Sequence, residues 1–183
     1  MVIGGRAMFI EIRHRFEDAE LADVERLYML DEGFNERTFN ELGYDRRVLV
    51  NERRGERLVR TLHLIPTRAL PAPFSVLVRD GSFHITERVE YDFAEHRGTW
   101  TTTPSVLANQ FNASGTFWLE DDASGVTFQL DGAALSTIPI LGRSAEKQAV
   151  RSAEQQHAAL ARAIRGQIPR RAIGEHAAPE LGR

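Results

Sequence analysis

At 183 residues, with 42% hydrophobic and 27% charged side chains, the chain suits one globular domain and can bury a substantial core. Its net charge of -3 provides no field to draw in phosphate backbones, so nucleic acid is not an expected partner. The lack of cysteine excludes disulfides, thiolate metal sites and a cysteine nucleophile. Met1 to Ala7 has no apolar signal-peptide core, and no run approaches the roughly 18 apolar residues of a membrane span. The expectation is a cytoplasmic protein without stable membrane insertion.

The first periodic segment alternates Met8, Ile10, Ile12, His14 and Phe16 with Phe9, Glu11, Arg13 and Arg15, which is strand spacing. After Asp18, an available N-cap, the spacing of Leu21, Val24, Leu27 and Tyr28 becomes helical, and a second short helix is expected from Asn35 to Leu42. Period two returns from Tyr44 through Val48 and Val50, then through Leu58, Leu62 and Leu64. The charged stretch Asn51 to Arg57 between them reads as a hairpin tip. Pro66 to Pro73 holds three prolines and reads as a loop crossing one end of the domain.

Four more strands are expected: Phe83 to Phe93, Gly98 to Thr103, Asn109 to Leu119 and Gly125 to Ser136. Turn residues at Glu95 to Gly98 and Asp121 to Gly125 mark turns between them. The chain then enters one long helix reaching about Ile168. Leu141, Ala145, Ala149, Ser152, Ala153, Gln156, Ala159, Leu160, Ala163 and Ile164 share one face, and Arg143, Lys147, Arg151, Glu154, Arg162 and Arg165 the other. Consecutive strands on short turns give an antiparallel sheet, and only the terminal helix is long enough to cover its apolar face. The fold class is therefore α+β, a curved antiparallel sheet of about six to seven strands gripping a long C-terminal helix, with two short helices after the first strand. The domain spans 8–168, and 169–183, rich in Gly, Pro and charge, is expected to be a mobile tail.

Candidate chemistry is sparse. There is no Gly-rich phosphate loop, no Gly-x-Ser-x-Gly, and no His-Glu-x-x-His, and the remaining histidines lie without ligand spacing, so neither a metal nor a cofactor is expected. His14, on an apolar strand face, is a candidate general base with Glu87, between Ile85 and Val89, as its orienting carboxylate; the other reading has both at strand ends in water. Arg60 interrupts Leu58 and Leu62. In that register it faces inward and needs Glu87 or a ligand carboxylate, whereas a one-residue slip puts it in solvent. Gln156 and Ser152, on the alanine face, need polar partners from a cavity or from the sheet. Phe83, Tyr91, Trp100, Phe111, Phe117, Trp118 and Phe128 supply aromatic surface, mostly core, with a subset available near Ala149 and Ala153 to line a pocket. His157, at the edge of the helix face, reads as a surface residue, and the Arg53 and Arg54 turn as a solvated tip.

Certain stretches carry a likeness beyond pattern. They are His14-Arg-Phe before Ala19 and Glu20, Leu70-Pro at the crossing loop, the Gly115 strand with Phe117 and Leu119, and Ile138-Pro-Ile-Leu-Gly-Arg-Ser-Ala-Glu entering the last helix. From Met8 to Ile168 the chain resembles the helix-grip superfamily of START lipid-transfer domains, birch-pollen-type allergens and polyketide cyclases, and within it a bacterial domain family of unknown function. The crossing segment departs from it, holding Arg79 and Asp80 and no tryptophan-rich stretch. The resemblance implies a cavity between sheet and helix for an apolar or amphipathic molecule, but no reaction.

Three functions then compete. One is a binding or carrier module for a lipid, isoprenoid or polyketide-like ligand, touching Arg60, Tyr91, Trp100, Phe111, Phe117, Phe128, Ala149, Ser152, Ala153 and Gln156. The second is a cyclase or dehydratase-type enzyme in which His14 or Glu87 moves a proton. The third is a close-packed domain that binds a protein partner through its outer sheet face.

Overall fold

The structure, a computed structural model, describes residues 7–70, 75, 83–139 and 141–168. The expected tail 169–183, Pro71 and most of the crossing segment, including Arg79 and Asp80, lie outside the described residues. Strand β1 (Met8–Glu17) leads into α1 (Leu21–Glu25), a one-turn π-helical segment (Arg26–Leu30) and α2 (Glu32–Glu41). Six strands follow: β2 (Tyr44–Arg54), β3 (Arg57–Pro66), β4 (Ile85–Asp92), β5 (Arg97–Pro104), β6 (Phe111–Asp122) and β7 (Gly125–Ser136). The chain then forms α3 (Gly142–Gln167). The sheet is antiparallel throughout, in the order β1-β7-β6-β5-β4-β3-β2, with β1 and β2 at its edges. Among the described residues no helix is long and apolar enough to cross a membrane.

Local chemistry moved several expected boundaries. Asp18 does not cap α1: it takes a left-handed backbone (φ 56°) and its N–H donates to the Ser124 carbonyl, turning the chain off the sheet. Helix α2 begins earlier than Asn35 because Asp31 caps it, its Oδ1 accepting the Phe34 N–H at 2.9 Å. Asn35 is buried instead, donating to the carbonyls of Leu27 and Asp31 at 2.9 Å. The charged hairpin tip is shorter than its sequence suggests, since pairing persists to Arg54 opposite Arg57 around Gly55. Edge strand β2 carries a bulge between Val48 and Val50, and Val48, Leu49 and Val50 are exposed there, while Arg46 before them is buried.

The concave face carries the core. Inward residues such as Ile10, Phe16, Leu62, Val89 and Leu130 join Val24 and Leu27 of the first helical turns. At the centre of the sheet Gly115 pairs with both Trp100 and Gly132. A Cβ at Gly132 would stand 2.6 Å from Trp100 Cζ2, so the bare backbone there leaves room for the indole.

Helix α3 is fixed at both ends. At its start the Glu146 carboxylate, 1% exposed, accepts the Ser136 N–H at 3.1 Å from the end of β7. The link between them folds on itself, Ser136 Oγ accepting the Ile138 N–H and the Ile138 carbonyl the Gly142 N–H. At its other end Leu160, Ala161 and Ile164 are buried, and the Arg165 guanidinium lies over the Phe16 ring and donates to the Arg15 carbonyl. Replacing Glu146 by Ala leaves a buried backbone N–H without an acceptor, and a loss of about 1–3 kcal/mol of stability is expected, read as a lower urea midpoint.

Candidate ligand cavity

Between these anchors the helix stands off the centre of the sheet. Ala149, Ser152, Ala153 and Gln156 are only partly buried, and they roof a cavity of about 260 Å³ whose floor is the concave sheet face. The volume lies just under the roughly 300–1,000 Å³ usual for small-molecule pockets, so the space suits a molecule of modest size. A helix face made of alanine cannot span the gap left by a curved sheet when both helix ends are tied. The fully packed domain without a cavity is therefore not what forms.

Most of the expected residues converge here. Trp100, Phe111, Phe117 and Phe128 line the floor, as do Arg60 and Glu87, while Ala149, Ser152, Ala153 and Gln156 form the roof. The inward register of Arg60 is the observed one: it alternates with Leu58 and Leu62, all three buried. Tyr91 is a correction. It does not line the cavity; its hydroxyl donates to Glu25 at 2.7 Å, and Glu25 also bonds His96 Nδ1 at 2.8 Å, so Tyr91 ties α1 to the sheet. Ser152 finds a protein partner, the Tyr44 hydroxyl, at 3.3 Å.

The suggested pairing of His14 with Glu87 is not formed. They lie on β1 and β4 with three strands between, about 19 Å along the sheet at the usual spacing. His14 instead pairs across the strands with Phe128, within electrostatic reach of His157 and Arg165, and does not line the cavity. His157, read from sequence as a surface residue, is the histidine that lines the cavity, its ring stacked 5.2 Å from Phe128, which stacks in turn on Tyr28 at 4.8 Å. His157 Nδ1, His14 Nε2 and the Tyr28 hydroxyl are buried without a hydrogen-bond partner among the described residues. Burial, reinforced by His14, pulls His157 down to about 4, and burial together with Arg165 also lowers His14.

A different polar group occupies the β2 to β4 side. Arg46, Arg60 and Glu87 line the cavity there, and Glu32 of α2 reaches both arginines, one carboxylate oxygen to Arg46 Nη1 and the other to Arg60 Nη1 at 3.4 Å. The Met29 carbonyl accepts from Arg60 Nη1 at 3.2 Å. Glu87 makes no hydrogen bond to a described residue, and its burial raises its pKa against the opposing pull of Arg60 and Arg46. Sequence reasoning missed Arg46. It shares the parity of Val48 and Val50, so alternation pointed to it; Val48 keeps its register opposite Leu62 but is exposed on the edge strand, and the bulge moves Val50 opposite Thr61, while Arg46 opposite Leu64 is buried. No group of three or more metal-ligating side chains is found among the described residues.

A family profile described as a protein of unknown function matches residues 11–167. The chain belongs to the DUF2505 family. Its architecture is a helix-grip fold, shared with solved structures. The DUF2505 chain is 17% identical to a protein from Thermus thermophilus, with 87% of this chain and 95% of that one aligned at a TM-score of 0.55. It is 14% identical to Ara h 8.0201, over 88% and 97% of the two chains, at 0.56. It is 16% identical to the Zhui aromatase/cyclase from Streptomyces sp. R1128, over 87% and 93%, at 0.55. Comparison with curated proteins returns no match.

The histidines of this DUF2505 chain give the fold a pH dependence of definite sign. An unfolded His157 takes up a proton near pH 6.5 and the folded one only near 4, so acid favours the unfolded chain across that window. Stability is expected to fall as pH drops from about 6.5 toward 4, and His157→Phe, which keeps the stack on Phe128, should flatten that slope in thermal melts compared with wild type.

Proposed function

We propose that the protein binds or carries a small apolar or amphipathic molecule, of lipid, isoprenoid or polyketide-like character, in the cavity beneath α3. The observation that carries this reading is the unfilled space of about 260 Å³ under Ala149 and Ala153, with an apolar floor that includes Val89, Trp100 and Phe117. Removing apolar ligand surface from water contributes about 25 cal/mol per Å², which is enough for useful affinity without any reacting group. Ala149→Phe or Ala153→Phe is expected to abolish uptake of an apolar fluorescent probe with the melting temperature little changed. Unaltered probe binding in both variants counts against the proposal. Native mass spectrometry of the purified protein, followed by solvent extraction, is expected to reveal a co-purifying small molecule.

A second reading, an enzyme of the cyclase or dehydratase kind, draws support from Glu87, a carboxyl group with a raised pKa facing the same cavity. In that case Glu87→Gln removes turnover of a substrate held there while leaving its binding in place. In the carrier reading the same variant changes no reaction.

A further inference from the structure

The arginine side of the cavity is overbuilt for an apolar ligand alone. Arg46 and Arg60 are 7% and 6% exposed, and both residues line the cavity wall. Their contacts with Glu32 and Met29 use only the Nη1 atoms. Arg46 Nε and Nη2 and Arg60 Nε are buried with no acceptor among the described residues. Nε and Nη2 form the side-on edge of a guanidinium, two parallel N–H donors spaced to match the two oxygens of a carboxylate. A buried charge left short of hydrogen bonds is costly, so such an edge calls for an acceptor.

We propose that Arg46 and Arg60 seat the carboxylate head of an amphiphile whose hydrocarbon tail occupies the apolar part of the cavity, an inference that rests on the cavity being a ligand site. Glu32 shows that one carboxylate fits the two cations, an oxygen to each. A second carboxylate, brought by the ligand, takes the donors that Glu32 leaves.

Two guanidinium groups share the Glu32 carboxylate, and burial works against ionisation of Glu87, the other acid beside them, while Arg60 and Arg46 pull the other way. Burial and then its neighbour Arg46 disfavour the charge on Arg60, a strain that an anion at the pair relieves. A carboxylate brings two oxygens and a single charge to that edge, whereas a phosphate monoester brings about -1.5 to -2 at neutral pH and a larger desolvation cost into the same buried place. Beyond the arginines the lining turns apolar through Ile85, Val89 and Trp100 toward Phe117, a path for a tail.

The test compares decanoic acid, methyl decanoate and decyl phosphate by titration calorimetry at neutral pH, below their micellar concentrations. Wild-type protein is expected to bind the acid at least about tenfold more tightly than the ester, the equivalent of about 1.4 kcal/mol. Arg46→Met and Arg60→Met should each shrink that preference, taken as the ratio of acid to ester affinity within the same variant, to roughly twofold, and retained ester binding shows that fold and cavity survive. Equal affinity of wild type for acid and ester overturns the carboxylate seat and leaves the cavity reading standing. Tighter binding of decyl phosphate than of the acid overturns the choice of head group. Failure of all three probes to bind overturns both readings, and if a variant does not fold, the wild-type contrast decides alone.

Discussion

A helix held at both ends over a curved sheet is the constraint on which the rest of the molecule depends. The buried Glu146 carboxylate fastens the start of α3 to the Ser136 N–H, and Leu160, Ala161, Ile164 and Arg165 fasten its end to β1 and its neighbours. The sheet curves away beneath the helix, so the middle of the helix stands clear of the floor. Large side chains at 149 and 153 would fill that gap; alanine leaves it open. An interior that would otherwise close to crystalline density keeps a cavity because the backbone cannot collapse onto it.

The cavity is apolar across its centre and polar at two places built in different ways. On the β1 and β7 side, His157, with Tyr28 and Phe128, presents an aromatic wall, and burial suppresses protonation of the imidazole. On the β2 to β4 side stand two permanent cations, one bridging carboxylate and one carboxyl group that burial drives toward neutrality. The lining therefore runs from an arginine-rich end through an apolar middle to a buried imidazole. The proposed carboxylate seat rests on that ordering, and a fold used by many proteins says little until its inward side chains are read.

The elements near the site show how much the chain carries in plain view. Alternation put Glu87 on the apolar side of its strand and made an inward Arg60 one of two registers, and the alanine run marked the roof, because period two and period 3.6 survive wherever a strand or helix is regular. Irregular backbone hid the remainder. The left-handed turn at Asp18, the Asp31 cap and the bulge after Val48 each shift the phase of the pattern by local hydrogen bonding that no window of hydropathy records. Tyr91 was misplaced for another reason: its strand phase is right, but Glu25, far away in the sequence, claims its hydroxyl.

The sequence by itself determined the order of strands and helices, the face most of them turn inward, and the family to which those stretches belong, because these are properties of neighbouring residues. Only the tertiary structure decided that His14 answers to His157 rather than to Glu87, that Arg46 joins Arg60 across Glu32, and that the alanine face hangs over empty space. Those facts depend on strand order, sheet curvature and the anchoring of a helix to elements many residues away. Such distances are fixed by packing in three dimensions and leave no trace in local periodicity.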